Sequence, residues 1–281
     1  MKHLACFLTA LFLFVSVSSA QTVPNTPLVW AIQNSEHEDV TKINSMLASG
    51  ADVNEKNYQG MTPLMIALSM GQYEIAKLLI AHGADTNATT DDGTSVLHIA
   101  VGTSIIGIDT NKEIINSLLK RGAQVNSSRT GGGTPLMTAS YSNDAEIVKI
   151  LLNRGALVNV QDKDGATPLL NAVKGLSIAP AGRRNSNTVR LLLEHKAKVN
   201  VADKFDVTPL SAAGFLSDRN RGTLSLENDK KLSVEIAGLL LKLGANPNFK
   251  SPNRNGFTLL QYAENDKNIE LVNLLKKAGA K

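Results

Sequence analysis

Histidines are the first residues in this chain that could do chemistry, and their spacing argues against it. His82 and His195 lie in Leu-Ile-Ala-His-Gly-Ala and Leu-Leu-Glu-His-Lys-Ala, each at the end of an apolar helical run. A cation there complements the helix dipole, which is a structural use. His37 and His98 have no partner at metal-ligand or catalytic spacing. Asp162-Lys163-Asp164-Gly165 opens like a calcium loop, but the rest of that loop is missing. Gly131-Gly132-Gly133 resembles a phosphate cradle, yet no Lys-Ser/Thr follows it. Two Asn-x-Ser/Thr acceptors, at Asn87 and Asn126, both fall in recurring Gly-Ala-x-Val/Thr-Asn segments, where the Asn has a structural reading. No nucleophile, base and orienter occur together. The chain is therefore read as a non-enzyme with no catalytic residue, no metal and no cofactor.

The elements that would position any site are marked by local punctuation. In Gly155 to Ala172, Gly155 ends one helix in the left-handed conformation that glycine adopts without strain. Asp164-Gly165 turns the chain, Thr167 caps the next helix, and Pro168 takes its first position. The capping hydroxyl recurs at Thr26, Thr62, Ser95, Thr134, Thr167, Thr208 and Thr258. The helix stop recurs at Gly50, Gly83, Gly122, Gly155, Gly244 and Gly279, with Lys196 in the remaining slot. Stop to cap is 12 residues, except 14 before Thr258; cap to stop is 21 in units two, four and seven, a 33-residue period. Units one, three, five and six carry 3, 6, 8 and 15 extra residues, placed most simply between their paired helices. The longest insertion, near 216–232, is expected to add a turn of helix. Val96 and Leu259 replace the first-turn proline. Second helices repeat apolar residues at helical spacing, as in Ile75, Leu78, Leu79 and in Ile147, Ile150, Leu151.

With its Thr-Pro-Leu-Met-Ile-Ala (Thr62 to Ala67), Ser-Val-Leu-His-Ile-Ala, Thr-Pro-Leu-Met-Thr-Ala and Thr-Pro-Leu-Leu-Asn-Ala segments, the chain resembles the ankyrin-repeat family. His98 takes the histidine position of that signature. The resemblance implies an all-α solenoid of about seven helix-turn-helix repeats joined by short β-hairpin-like turns. It also implies that partners dock on the hairpin tips and the exposed ends of first helices. Those places hold Tyr58, Gln59, Met61, Ser69 and Met70, then Asp91, Asp92 and Thr94, then Thr130 and Tyr141. Later units supply Lys163 and Lys174, then Lys204, Phe205, Val207, Phe215 and Leu216, then Arg254 and Phe257. Aromatics, Met and Arg favour a protein-binding groove; for Phe215, packing beneath its own insertion is an equal alternative. Arg183, Arg184, Arg219 and Arg221 fall in neighbouring insertions and form a second candidate, an anion-binding edge.

The N-terminus sets the expected compartment. Lys2, an apolar run from Leu4 to Val17 and Ser18-Ser19-Ala20 read as a signal peptide cleaved between Ala20 and Gln21. Residues 1–20 are thus the leader, 21–25 a linker and 26–281 the repeat domain. Cys6, the one cysteine, leaves with the leader, so core packing must hold the mature chain together. Loss of Lys2 lowers the formal charge from +4 to +3, which gives no case for nucleic acid. The expected protein is periplasmic and monomeric, binding, inhibiting or stabilising another envelope protein through its concave face. A secreted effector acting on a host protein, and a binder of anionic glycan or lipid through the Arg loops, are the alternatives.

Overall fold

The computed structural model describes residues 27–35, 39–102, 108–179, 183–216, 226–249 and 257–281. The cleavage site Ala20/Gln21 lies outside them, as do Thr26, His37, Arg219, Arg221 and Arg254. Among the described residues fourteen helices run in seven antiparallel pairs. They are α1 (Pro27–Gln33) and α2 (Val40–Ala48), α3 (Pro63–Ser69) and α4 (Tyr73–Ala81), α5 (Val96–Gly102) and α6 (Ile108–Lys120), and α7 (Pro135–Tyr141) and α8 (Ala145–Asn153). The later pairs are α9 (Pro168–Gly175) and α10 (Asn187–Glu194), α11 (Pro209–Gly214) and α12 (Leu226–Lys242), and α13 (Leu259–Asn265) and α14 (Ile269–Lys277). No strand forms among these residues; the loops contain one isolated bridge, Thr89 with Ser95. The architecture is an all-α solenoid.

Local chemistry explains where helices begin and end. Thr62, Thr134, Thr167, Thr208 and Thr258 each accept the amide of the third helical residue on the side-chain hydroxyl, satisfying a donor that has no partner inside the helix. Gly155 ends α8 at φ 83°, whereas Lys196 holds the equivalent left-handed position after α10 at φ 66°. A residue with a Cβ is strained there by about 1 kcal/mol. Pairs two, four and seven close through residues 70–72, 142–144 and 266–268, while the other connections are longer. In the sixth pair α12 runs 17 residues against 9 in α4 and α8. Part of the longest insertion is therefore spent as extra helix.

First helices stack on one another along the molecule, and second helices form a second layer. The first-helix layer is the tighter. Gly175 at the end of α9 lies so close to α7 that an added Cβ would sit 1.9 Å from the Tyr141 carbonyl oxygen. Burial follows the helical stripe: Ile75, Leu79, Ile114, Leu118, Ile147, Leu151, Leu192, Ile236 and Leu240 are almost wholly enclosed. Each contributes about 1.5–3 kcal/mol relative to exposure. Leu78 and Ile150 flank this stripe and are half-buried.

A recurring asparagine ties each unit to the next. Asn159 donates its Nδ2 to the Lys196 carbonyl (3.1 Å) and accepts the Lys198 amide on Oδ1 (2.8 Å). Asn87, Asn126, Asn200 and Asn248 make the same two-way bridge across their own junctions. Asn87 and Asn126 are thus engaged through their side-chain amides in holding the stack in register.

Candidate hairpin-tip binding surface

The hairpin tips are built by one repeated hydrogen-bond pattern. Asp162 donates its amide to the Ala166 carbonyl (3.1 Å) and accepts the Gly165 amide on its own carbonyl (2.8 Å). Its Oδ1 takes the amides of Asp164 and Ala166, both at 2.9 Å. Asp203 does the same for Phe205 and Val207, and Asn57 for Gln59 and Met61. A short acceptor side chain that closes on its own backbone is what makes Asx residues good turn formers.

Adjacent tips then bond to one another. Thr130 donates its amide to Asp92 O (2.7 Å), Lys163 to Gly131 O (2.8 Å) and Lys204 to Asp164 O (2.7 Å). The third to sixth tips form one continuous strip with fixed spacing. This strip presents Asp91 and Asp92 in the third unit, and Lys163 and Lys204 in the fifth and sixth. Lys204 is ion-paired with Asp164 at 2.6 Å, so Lys163 carries the less committed cation at that end. Burial opposes ionisation of the Asp92 carboxyl, but hydrogen bonds from Thr90, from both the amide and the hydroxyl of Thr94, and the nearby Arg129 hold it below the usual range. The hydrogen bond from Lys204 lowers Asp164, and the charges of Lys163 and Lys174 add to it.

The candidate residues divide by position. Tyr58 is 68% exposed on the second tip and Phe205 51% exposed on the sixth, where the Lys204 ammonium lies 5.1 Å from its ring centroid. Lys163 is exposed, with its aliphatic stem over Gly131. Phe257 and Met70 are also exposed. Met61 is half-buried against the core, and Tyr141, the last residue of α7, is half-buried.

Three sequence placements need correction. Phe215 is not on the surface: it is 8% exposed, with its ring edge-on to Tyr262 at 4.3 Å. Leu216 is enclosed beside it. Lys174 does not face solvent freely either, since its ammonium meets the buried carboxylate of Asp203 at 2.5 Å. That pair fastens α9 to the next hairpin. Arg183 and Arg184 do not form an open anion-binding edge. Arg183 pairs with Asp144 at 3.0 Å, and Arg184 pairs with Asp229 of α12. Sequence reasoning also missed the neighbouring set in which Ser186 and Arg190 meet Glu235 at 2.5 and 2.7 Å. The hydrogen bonds from Ser186 and Arg190 hold the Glu235 carboxyl below its ordinary range.

His98 is a fixed part of the core. Its Nε2 donates to the Gly133 carbonyl (3.0 Å), so Nδ1 is the acceptor for the Ser95 hydroxyl (2.8 Å). Burial holds the ring neutral and lowers its pKa from 6.5 to about 4. Among the described residues no group of three His, Cys, Asp or Glu gathers as metal ligands. No helix among the described residues is long and apolar enough to cross a membrane.

Comparison with known proteins follows the same repeat. The family model described as ankyrin repeats (3 copies) matches residues 3–90, 28–129 and 97–203. Human transient receptor potential cation channel subfamily A member 1 is 33% identical over 119 residues, 42% of this chain and 10% of that protein. Mouse ankyrin repeat domain-containing protein 13B is 34% identical over 77 residues, 27% of this chain and 12% of that protein. Human protein phosphatase 1 regulatory subunit 27 is 52% identical over 44 residues, 16% of this chain and 29% of that protein. The matched stretches thus cover 10%, 12% and 29% of these relatives.

Proposed function

Since this chain belongs to the ankyrin-repeat family, we propose that it is an exported protein-binding module that inhibits or stabilises an envelope protein docked on its hairpin tips. The observation that carries the reading is the strip of tips joined by backbone hydrogen bonds from Asp92 to Lys204. Such a strip is assembled before any partner arrives, so little ordering entropy opposes binding. Phe205 on this strip and Tyr58 on the tip before it supply apolar anchors, and Lys163 supplies exposed charge. Aromatic anchors in such settings dominate binding energy. One relative is named a regulatory subunit of a phosphatase, which accords with a role exerted on another protein.

Export rests on Lys2, the apolar run from Leu4 to Val17 and the small residues before Gln21; the periplasm is the proposed compartment. The reading is non-catalytic: binding alone would block or steady the target, as an immunity protein does to a toxin. The secreted-effector reading shares the same tips and differs only in destination. The glycan reading loses support because Arg183 and Arg184 are committed to Asp144 and Asp229.

Photo-crosslinking tests the docking surface. A benzoylphenylalanine placed at position 58 or 205 in intact cells should trap one discrete protein. The same probe at Ile178, exposed on the connection after α9, should not. Equal trapping at all three positions, or none, would remove the hairpin tips as the site. Fractionation decides the compartment: a mature chain starting at Gln21 in osmotic-shock fluid is expected, and an uncleaved chain in the cytosol would refute export.

A further inference from the structure

A second surface lies on the edge formed by the C-terminal ends of the second helices, away from the hairpin tips. In the first two units the residue after Gly-Ala on this edge is Asp52 or Asp85. From the third unit onward the edge turns basic, with Lys120, Arg121, Arg154, Lys196, Lys198 and Lys242 all exposed. Arg154 donates to Asn116, and the other five make no ion pair among the described residues. A cation at a helix C-terminus complements the dipole, and that alone explains Lys120 and Lys242.

It does not explain Lys196. Six other units place glycine at that stop, yet here a lysine is held at φ 66°. Lys267 also holds a left-handed position, at φ 54°, so the conformation at Lys196 gains meaning only from what surrounds it. The same lysine lines a groove of about 560 Å³ between the fifth and sixth units, with Lys198 beside it and Leu193, Val199, Val201 and Leu243 as apolar walls. The groove lies where the chain leaving α10 passes the C-terminal end of α12. Leu243 is 54% exposed at its mouth. Within 193–201 two lysines face one carboxylate, Glu194.

We propose that this groove takes an acidic protein segment, with one leucine-sized side chain against Leu193, Val199 and Leu243 and flanking carboxylates on Lys196 and Lys198. A polyanionic glycan or nucleic acid would answer the charge but leave the apolar wall in water, whereas an acidic peptide covers both. The asparagine bridge from Asn200 to Gly244 and Asn246 holds the two sides of the groove at fixed separation. The surface is independent of the hairpin tips and goes beyond the function proposed for them.

Fluorescence anisotropy with the purified chain and a labelled Asp-Glu-Leu-Glu-Asp peptide tests it, with an Asp-Glu-Ala-Glu-Asp peptide and heparin as comparisons. The Leu peptide should bind saturably and about fivefold tighter than the Ala peptide. Its affinity should fall about tenfold between low and high salt. Lys196→Gly should weaken binding about threefold, the loss of one partly exposed pair. The same variant should unfold at an equal or higher temperature, because glycine relieves the strained φ. Lys196→Glu with Lys198→Glu should abolish binding, and Tyr58→Ala with Phe205→Ala should leave it unchanged. The proposal is overturned if the Leu peptide shows no saturable binding. Equal affinity for both peptides with heparin competing would assign the edge to polyanions instead. Unchanged affinity in Lys196→Gly would also reject it.

Discussion

Acid should weaken this protein through His98 in a way that one substitution removes. The ring is 4% exposed, and its Nε2–H is committed to the Gly133 carbonyl. Its pKa falls from 6.5 to about 4 chiefly because burial disfavours the charged form, with nearby Arg129 adding to the fall. The Gly133 hydrogen bond and Asp92 oppose that fall. A depressed folded-state pKa means that the unfolded chain binds the proton first. Stability is therefore intact above pH 6.5 and declines as pH falls toward 4. The whole difference corresponds to roughly 3 kcal/mol, of which about 2 kcal/mol is lost between pH 7.5 and 5. His98→Met places there the residue that Met65 and Met137 supply in other units, both buried. At pH 7.5 the variant should be less stable by about 1–2 kcal/mol, because the Gly133 carbonyl loses its donor. Urea unfolding at both pH values should show that gap close or reverse at pH 5. A gap of constant size at the two pH values would refute the assignment of a neutral, buried His98.

Three further outcomes follow from the packing. Gly175→Ala forces a methyl group to within 1.9 Å of the Tyr141 carbonyl; thermal unfolding should register a loss of at least about 3 kcal/mol, and a smaller cost than that of Gly50→Ala, a site with open space, would contradict the tight first-helix layer. Lys174→Met leaves the Asp203 carboxylate buried without its cation, with an expected cost of about 3 kcal/mol by urea unfolding. Replacing both partners, as Lys174→Met with Asp203→Asn, should recover most of it. Asn159→Ala removes both bridges to the sixth unit and should cost about 1–2 kcal/mol; amide exchange should rise at Lys198 and stay unchanged in the second unit.

Much of this arrangement can be read from the sequence because its signals are local. A hydroxyl three residues ahead of an amide, a proline at the first helical position and a left-handed stop are each decided within one turn of chain. Asn87 and Asn126 could be called structural from their place in the repeat, and the bridges explain why. The charged and aromatic side chains are harder to place, since their partners lie in a neighbouring repeat. Lys174 meets Asp203 across 29 residues, and Arg184 meets Asp229 across 45. Whether such a side chain reaches solvent or a neighbour depends on how the insertions fold back. Phe215 shows the same limit, because its burial depends on Tyr262 of the following unit. Tyr58 and Phe205 were read correctly as exposed because they sit at turn positions that no neighbouring element overlies.

Quantitative capture from envelope extracts decides whether the hairpin tips hold a partner, comparing the unaltered chain with Tyr58→Ala/Lys163→Ala/Phe205→Ala. The stacked tips predict that one protein is retained by the unaltered chain and lost from the variant, while helical content and unfolding temperature stay the same. An identical capture profile from both would contradict the claim that the hairpin tips are where this molecule meets its partner.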